Sequence, residues 1–518
     1  MKAQRSVTTC RASASSVLRA SLGAALVVAA LPALGQRTAG TPQLFVSSSF
    51  TASETYIDTR REGGSSSGEF VTVLTPAVRL SGRVGAIEGS FDYSLSALHF
   101  SEKSQANRVV SSGQNGLNTA FTVTAIDNFA FVDVRANAGQ QSISPYGLQS
   151  VDTTRQANPN RTEVTTFSIT PYLRGAFDGV MNYEARLGTS RTDAKRADNS
   201  DSTSTIGTIS LRSPSSGSVL GWELAASRQQ VDFRTGRTTQ SDRVAATVTA
   251  RPIYDLQLSV TAGRESTDVG NAGGARSNNT WGWGARWTPT DRTNISYRNE
   301  RRYFGNSHNL VFEHRMQRTV WRYSDTRDAT GGGDPNGVGR PVTLYELYFA
   351  QFASVQPDPV QREQLVLSFL RGIGANPNDT VGGGLLTNAV TLQRRQDLSL
   401  AWLGRRTNVN LQAFSTSSRV LDTPNAGPGS EPVVQRGYSG TVSYSLSPTS
   451  SMSMVGAQQK ALSTATRRGN DLKSVSLSLS SRATRTATTS LSARYAVFNG
   501  DTNSYRDTSI AASVRFQF

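Results

Sequence analysis

The sequence predicts an all-β fold: a transmembrane antiparallel up-and-down β-barrel of about 22 strands, or roughly 18–20 on a stricter count, with one helical insert on its extracellular side. Three observations predict it. Apolar and polar residues alternate with period two along most of the 518 residues, short and long connections take turns between the segments, and the last alternating segment ends on Phe518. Composition sets the frame. Charged residues make up 18% of the chain and the mean hydropathy is −0.37, which leaves no room for several apolar membrane helices. Forty-five glycines with few aromatics argue against a helix-rich enzyme.

Residues 1–35 read as a secretory signal. Lys2, Arg5, Arg11 and Arg19 are basic, Leu22–Leu31 is apolar, and small residues precede Gln36. The apolar run is shorter than the ~20 residues a membrane helix needs. Cys10, the single cysteine, lies inside this signal, so residues 36–518 carry no disulfide, thiolate metal site or lipid-attachment cysteine. The expected destination is the outer membrane of a Gram-negative cell, with residues 36–518 forming the barrel.

Alternation begins after Gln43. Ile87, Phe91, Tyr93, Leu95 and Ala97 share one parity, and Glu88, Ser90, Asp92, Ser94 and Ser96 the other. The pattern recurs at Met181/Tyr183/Ala185/Leu187, at Leu256/Leu258/Val260/Ala262 and at Trp281/Trp283/Ala285/Trp287. Successive strand side chains point to opposite faces, so each segment has a greasy and a wet side. A soluble sandwich shares this property. Segment length favours the barrel, because a tilted spanning strand needs ~9–11 residues.

The connections separate the two folds further. Short turns are expected at 83–85, 126–128, 177–179, 252–255, 289–291, 404–406 and 448–450. Long polar loops are expected at 58–68, 102–112, 141–160, 266–279 and 420–435. Short turns at one rim and long loops at the other characterise outer-membrane barrels. Tyr93, Trp222, Trp281, Trp287, Tyr303, Trp321, Trp402, Tyr444 and Tyr495 would supply the interfacial aromatic girdles. In the final segment Val514, Phe516 and Phe518 share the apolar parity. Such an ending resembles the C-terminal signal read by the outer-membrane barrel assembly machinery.

The alternation stops between Asp325 and Thr387, and residues 328–387 are expected to form an extracellular insert. Glycine triplets at 331–333 and 382–384 bracket it. Thr343 with Glu346 is a capping box, and Asp358-Pro359 opens a second helix that Gly372 ends. Leu344, Leu347, Phe349, Phe352, Leu365, Phe369 and Leu370 need burial, and folding into the barrel mouth as a lid or plug would provide it.

Forty-nine arginines stand against five lysines, and the formal charge is +16. Codon bias accounts for part of this excess; the rest fits a preference for the planar guanidinium at carboxylates and phosphates. Parity puts Arg298, Arg302, Arg315, Arg322 and Arg395 on the wet face with Glu300, Glu313 and Asp397 beside them. The expected arrangement is a charge ladder bracing the lumen, whose net excess favours anionic cargo. Rim arginines would also meet outer-membrane lipid and lipopolysaccharide. His99, His308 and His314 are scattered without a nucleophile motif, so neither a catalytic nor a metal site is expected, and no cofactor. No nucleic-acid module is present. No βαβ-like plug pattern precedes the first strand, an argument against an energised siderophore transporter.

Several runs carry a family resemblance: TASETYID (51–58), SISPYG (142–147), NRTEV (160–164), ITPYLRG (169–175), RRYFGN (301–306), TVW (319–321) and DPVQREQLVLSFL (358–370). In this order the chain resembles the PEP-CTERM system-associated outer membrane proteins, predicted porin-like barrels found beside exosortase and exopolysaccharide loci. The resemblance implies an envelope role near exopolysaccharide production or surface sorting, with exopolysaccharide or export-system proteins as partners. It implies no particular site residues. The expected function is a non-enzymatic, porin-like conduit. A plugged barrel that displays loops to polymer or protein is the alternative, and a general nutrient porin the third reading.

Overall fold

The computed structural model describes residues 43–62, 64, 66–101, 113–151, 158–197, 200–214, 219–271, 273–331, 342–352, 362–363, 365–367, 370, 380–381, 386–421, 431–501 and 504–518. The expected signal with Cys10, the Asp358-Pro359 cap, Phe369, Gly372 and the triplet 382–384 lie outside these residues. In chain order the first strands are β1 (Gln43–Arg61), β2 (Ser66–Val84), β3 (Ile87–Phe100), β4 (Gly113–Ile126), β5 (Ala130–Ser142), β6 (Arg161–Phe177), β7 (Met181–Ala194) and β8 (Ser202–Arg212). There follow β9 (Leu220–Phe233), β10 (Thr239–Ile253), β11 (Leu256–Thr267), β12 (Arg276–Thr290), β13 (Thr293–Arg302), β14 (Gly305–Arg315) and β15 (Thr319–Thr330). The insert holds β16 (Val342–Thr343), α1 (Leu344–Gln351) and β17 (Thr380–Val381). The wall resumes with β18 (Thr391–Leu403), β19 (Thr407–Val420), β20 (Val433–Ser445), β21 (Ser450–Ala461), β22 (Asn470–Arg482), β23 (Ala487–Asn499) and β24 (Tyr505–Gln517).

Apart from β16 and β17, which pair only with each other, each strand pairs antiparallel with its sequence neighbours, and β15 bridges the insert to β18. β24 then pairs with β1, with Val514 opposite Ala52, so the 22 wall strands form a closed antiparallel barrel. The period-two pattern becomes two surfaces. Leu187, Val260, Trp281, Trp283, Trp321, Leu398, Leu477 and Ile510 are exposed large hydrophobics, all on the outer face. Their alternate neighbours, small, polar or charged for the most part, line the interior.

Turn chemistry places the two rims. The connection 85–86 closes on Gly85 at φ 57°, a left-handed conformation that a β-carbon disfavours. Connections at 127–129, 178–180, 254–255, 291–292, 316–318 and 404–406, two or three residues each, share that rim. Most longer connections, including the insert, open from the other rim.

Four expectations need correction. Asp58 lies directly opposite Gly68, and Ser266 opposite Ser277, so much of the expected loops 58–68 and 266–279 is paired strand. Loss of alternation there marks where the outer face ceases to be apolar, not where the ladder ends. β15 runs to Thr330 and β18 starts at Thr391, so the insert is 331–390 and Asp328 belongs to the wall. β13 and β14 meet at the long-loop rim through Tyr303-Phe304 alone, with Gly305 at φ 102°. Finally, Tyr303 is no girdle residue, because it packs inward against Val231, Phe233, Val269 and Val390.

In this closed ladder, Ala52 of β1 is flanked by Leu74 and Val514. Ala52→Pro would remove one ladder donor and leave a carbonyl unpaired in the wall, costing several kcal/mol, on the order of 3 or more. The expected result is loss of the compact, fast-migrating band in unheated denaturing gels, measured against the heated sample.

Candidate functional site: an obstructed, charged lumen

Helix α1 has the sequence LYELYFAQ, apolar on several sides rather than along one stripe. A helix of this kind is stable only when enclosed. Here the enclosure is the barrel interior. Tyr348, Phe352, Val366 and Leu370 are buried against Val320 of β15 and Ala401 of β18, and Leu344, Tyr345, Phe349 and Leu365 pack around them. Phe352, Val366 and Leu370 are at most 1% exposed, as deeply buried as any side chain among the described residues.

The position of these wall residues fixes the insert's depth. The insert leaves the wall after Thr330, yet it packs on Val320, one residue into β15 from the short-turn rim. It therefore descends most of the barrel height, deeper than the mouth position expected from sequence. It also crosses the lumen. Glu363 forms an ion pair with Arg79 of β2 at 3.5 Å, and that guanidinium also lies 5.7 Å from the centre of the Tyr345 ring. Arg79 is held in turn by Asp92 of β3. Between β3 and β15 the ring holds eleven strands one way, and between β18 and β2 seven the other.

Of the expected apolar face, Phe352 and Leu370 form the buried centre and Leu344, Phe349 and Leu365 its margin; Leu347 is half-buried outside that cluster. Sequence reasoning missed Tyr345, Tyr348 and Val366, because it sought one stripe and the environment is enclosed. It missed Arg79 and Asp92 as well. Their inward parity was readable, but which wall faces the insert was not.

A second element narrows the lumen at the long-loop rim. The β5–β6 connection, described at 143–151 and 158–160, turns inward to β22–β24. Tyr505 donates to the Gln149 carbonyl at 2.8 Å, Asn470 Nδ2 donates to the Pro145 carbonyl at 2.8 Å, and Leu148 packs on Leu472, Phe498 and Tyr505. Asn160 holds the loop's shape through Ser144, at 2.9 Å from its amide nitrogen and 2.7 Å from its carbonyl. A β-carbon on Gly147 would stand 2.4 Å from the Asn160 amide, so only glycine fits there.

The eight predicted ladder residues share one face, the same parity as Val320 and Ala401 that touch the insert. Their pairings differ from a simple neighbour ladder. Arg322 does meet Glu313 directly across β14–β15, and Arg395 is bidentate to Asp397, two residues along its own strand, at 2.8 and 2.9 Å. Arg302 instead reaches Glu265 of β11, which is fully buried, and Asp328 at 2.7 Å. Glu300 pairs with Arg243 of β10.

These reaches pass over β12, whose inner positions Gly282 and Gly284 offer no side chain. A β-carbon on Gly282 would lie 3.1 Å from that of Glu300. The run TWGWG thus places tryptophan outside and empty space inside. Arg298 and its diagonal neighbour Arg286 are exposed to the interior, with no ion-pair partner among the described residues. Arg315 also faces inward. His308 lies on the outer face, where Nε2 meets Asp325 at 3.1 Å. Among the described residues no histidine, cysteine and carboxylate groups gather in a metal-binding cluster.

The chain matches no family model and no curated protein. Its barrel is similar to the FrpB iron transporter of Neisseria meningitidis, at 11% identity and TM-score 0.45 over 90% of this chain and 82% of that one. It is similar to the siderophore receptor PirA of Acinetobacter baumannii at 8% identity, TM-score 0.43, over 91% and 80%. For OccK2 of Pseudomonas aeruginosa the figures are 10%, 0.30, 91% and 98%. Likeness of this order says nothing of what passes through or binds this chain.

Two outcomes follow from the insert's seat. Phe352→Asp sets an unpaired carboxylate among Val320, Val366 and Leu370, at a cost of several kcal/mol, of order 3–5. Trypsin should then cut at Arg362 while the heat-modifiable barrel band persists. Burial also raises the Glu363 carboxyl above its ordinary value, despite Arg79, with Asp92 adding to the rise. The neutral acid therefore docks better. Docking is weakest above the raised value and strengthens as pH falls toward ~4.3, the free glutamate value. Relative to cleavage of a free peptide at the same pH, cleavage at Arg362 should slow from pH 8 to pH 5, and Glu363→Gln should flatten that normalised response.

Proposed function

We propose that this chain is an outer-membrane, porin-like conduit closed at rest by its own insert, with a basic interior suited to anionic cargo. One observation carries the reading: the insert is packed across and deep into a closed barrel whose outer face is apolar. A spanning protein must satisfy its backbone internally, and closure of β1 on β24 does so without an exposed edge. The apolar outer face, polar interior and rim asymmetry are the features of an outer-membrane barrel. The basic and apolar pattern of residues 1–35 supports export to this membrane.

A filled lumen could equally belong to a permanently plugged barrel that displays loops. Two features favour a closed gate. Among the described residues the insert's hold on the β2–β3 wall is polar and centred on Arg79–Glu363, and glycine triplets at 331–333 and 382–384 flank the insert in the sequence. Arg286 and Arg298, exposed inside, would draw anions toward the lumen once it opens. The exopolysaccharide and exosortase setting rests on the family-like sequence runs. Three of those runs contribute described lumen residues: SISPYG the inward loop, RRYFGN the tight turn beside Arg302, and DPVQREQLVLSFL Glu363, Val366 and Leu370 of the insert.

Planar-bilayer conductance tests the proposal. Wild-type protein should be mostly silent with rare openings, and deletion of 335–385 should give steady anion-selective steps. Arg286→Gln with Arg298→Gln, in the deletion background, should lower the anion preference. A deletion variant that stays heat-modifiable but silent would overturn the conduit and leave the display barrel.

A further inference from the structure

The outer wall carries a row of charge where lipid would lie, and the strand lengths fix its height. β13 has 10 residues and β14 has 11, joined by a two-residue turn. A tilted strand needs ~9–11 residues to cross a bilayer. The upper ends of these strands therefore stand level with lipid headgroups, unlike β2, which runs for 19 residues. On the outer face here, Arg301 is opposite Trp281, and Arg327 is directly opposite Arg394.

Directly opposed like charges destabilise a strand pair. One carboxylate is at hand, and it is committed. Asp325 accepts from Arg394 at 3.0 and 2.6 Å, from Gln396 at 3.0 Å, and meets His308 Nε2 at 3.1 Å. Among the described residues the Arg327 guanidinium donates only to the Asn306 carbonyl, at 2.6 Å, and Arg301 has no polar partner. Tyr297, Leu310, Phe312 and Leu398 continue the same face toward the short-turn rim, by the pairings Tyr297↔Leu310 and Tyr323↔Leu398. A cationic row above an apolar wall complements an amphiphile with an anionic head.

We propose that this sector binds the phosphorylated headgroup of an outer-leaflet lipid. Arg301 and Arg327 hold the phosphate, the Asp325–Arg394–His308 cluster forms the floor of the site, and acyl chains lie along the apolar wall. Guanidinium suits the role because its planar fork bonds phosphate oxygens in pairs. This inference rests on the membrane-barrel reading and is independent of whether the barrel conducts.

The test compares wild type with Arg301→Gln/Arg327→Gln, and with the inner-face pair Arg286→Gln/Arg298→Gln as a matched loss of charge. Each is purified from outer membranes in detergent with a chelator, and retained phosphorylated lipid is counted by native mass spectrometry. Wild type and the inner-face variant should keep the lipid, and the outer-face variant should lose at least about tenfold in occupancy. Delipidated wild type should rebind bisphosphorylated lipid A in preference to its dephosphorylated form and to inorganic phosphate. Equal retention by the outer-face variant, or equal binding of the dephosphorylated lipid or of free phosphate, would overturn the site. Failure of the membrane reading would look different: the wild type itself would be absent from the outer-membrane fraction and show no heat-modifiable band.

Discussion

Along the seam between β1 and β24, from Ser49 opposite Gln517 to Arg61 opposite Tyr505, the barrel disposes of its last two strand edges. In lipid, an unpaired backbone N–H or C=O costs several kcal/mol, because nothing outside the protein can bond it. An open sheet of this composition would expose such a row on each side. Closure removes both, and it also makes the two faces of the sheet an outside and an inside. Every later feature depends on that distinction, since the same alternation that greases the wall must furnish a wet interior.

A ring of 22 strands encloses more space than its own side chains can fill. The chain fills it with two of its own segments. The insert supplies a helix that is apolar on several sides, and such a helix is tolerable only where protein surrounds it. The β5–β6 connection supplies a small asparagine-braced loop. The wall is adapted to both. Val320 and Ala401 are apolar residues at inward positions, exceptions to the wet parity, and they are where α1 and its partner residues rest. Gly282 and Gly284 are exceptions of another kind, leaving room for Arg243 and Arg302 to reach past β12.

These exceptions explain which parts of the site were legible in the sequence. The inward placement of Arg298, Glu300, Arg302, Glu313, Arg315, Arg322, Arg395 and Asp397 follows from counting by twos, since parity survives any error in strand ends. Their partners do not follow. Glu265, Arg243 and Asp328 lie two or three strands away from the arginine or carboxylate they pair with, and parity carries no information about reach across a sheet. The helix at 344–351 was readable from its capping box and apolar content. Its depth was not, because depth depends on which wall residue is small or apolar at the contact. The loops at 58–68 and 266–279 misled for a related reason: polar residues continue a ladder well once the outer face no longer needs to be apolar.

By itself, then, the sequence determined the class of fold, the approximate number of strands, the rim asymmetry and the face on which most wall residues stand; closure at 22 came from the structure. All of these are local or periodic properties, written within a few residues of each other. Only the tertiary structure decided that the insert spans the lumen from Val320 and Ala401 to Arg79, that the 143–151 loop turns to β22–β24, and that Arg327 faces Arg394 across the outer wall. The reason is geometric. Ring closure brings together residues hundreds of positions apart, such as Gln149 and Tyr505, and the register of a closed ring is a property of all its strands at once.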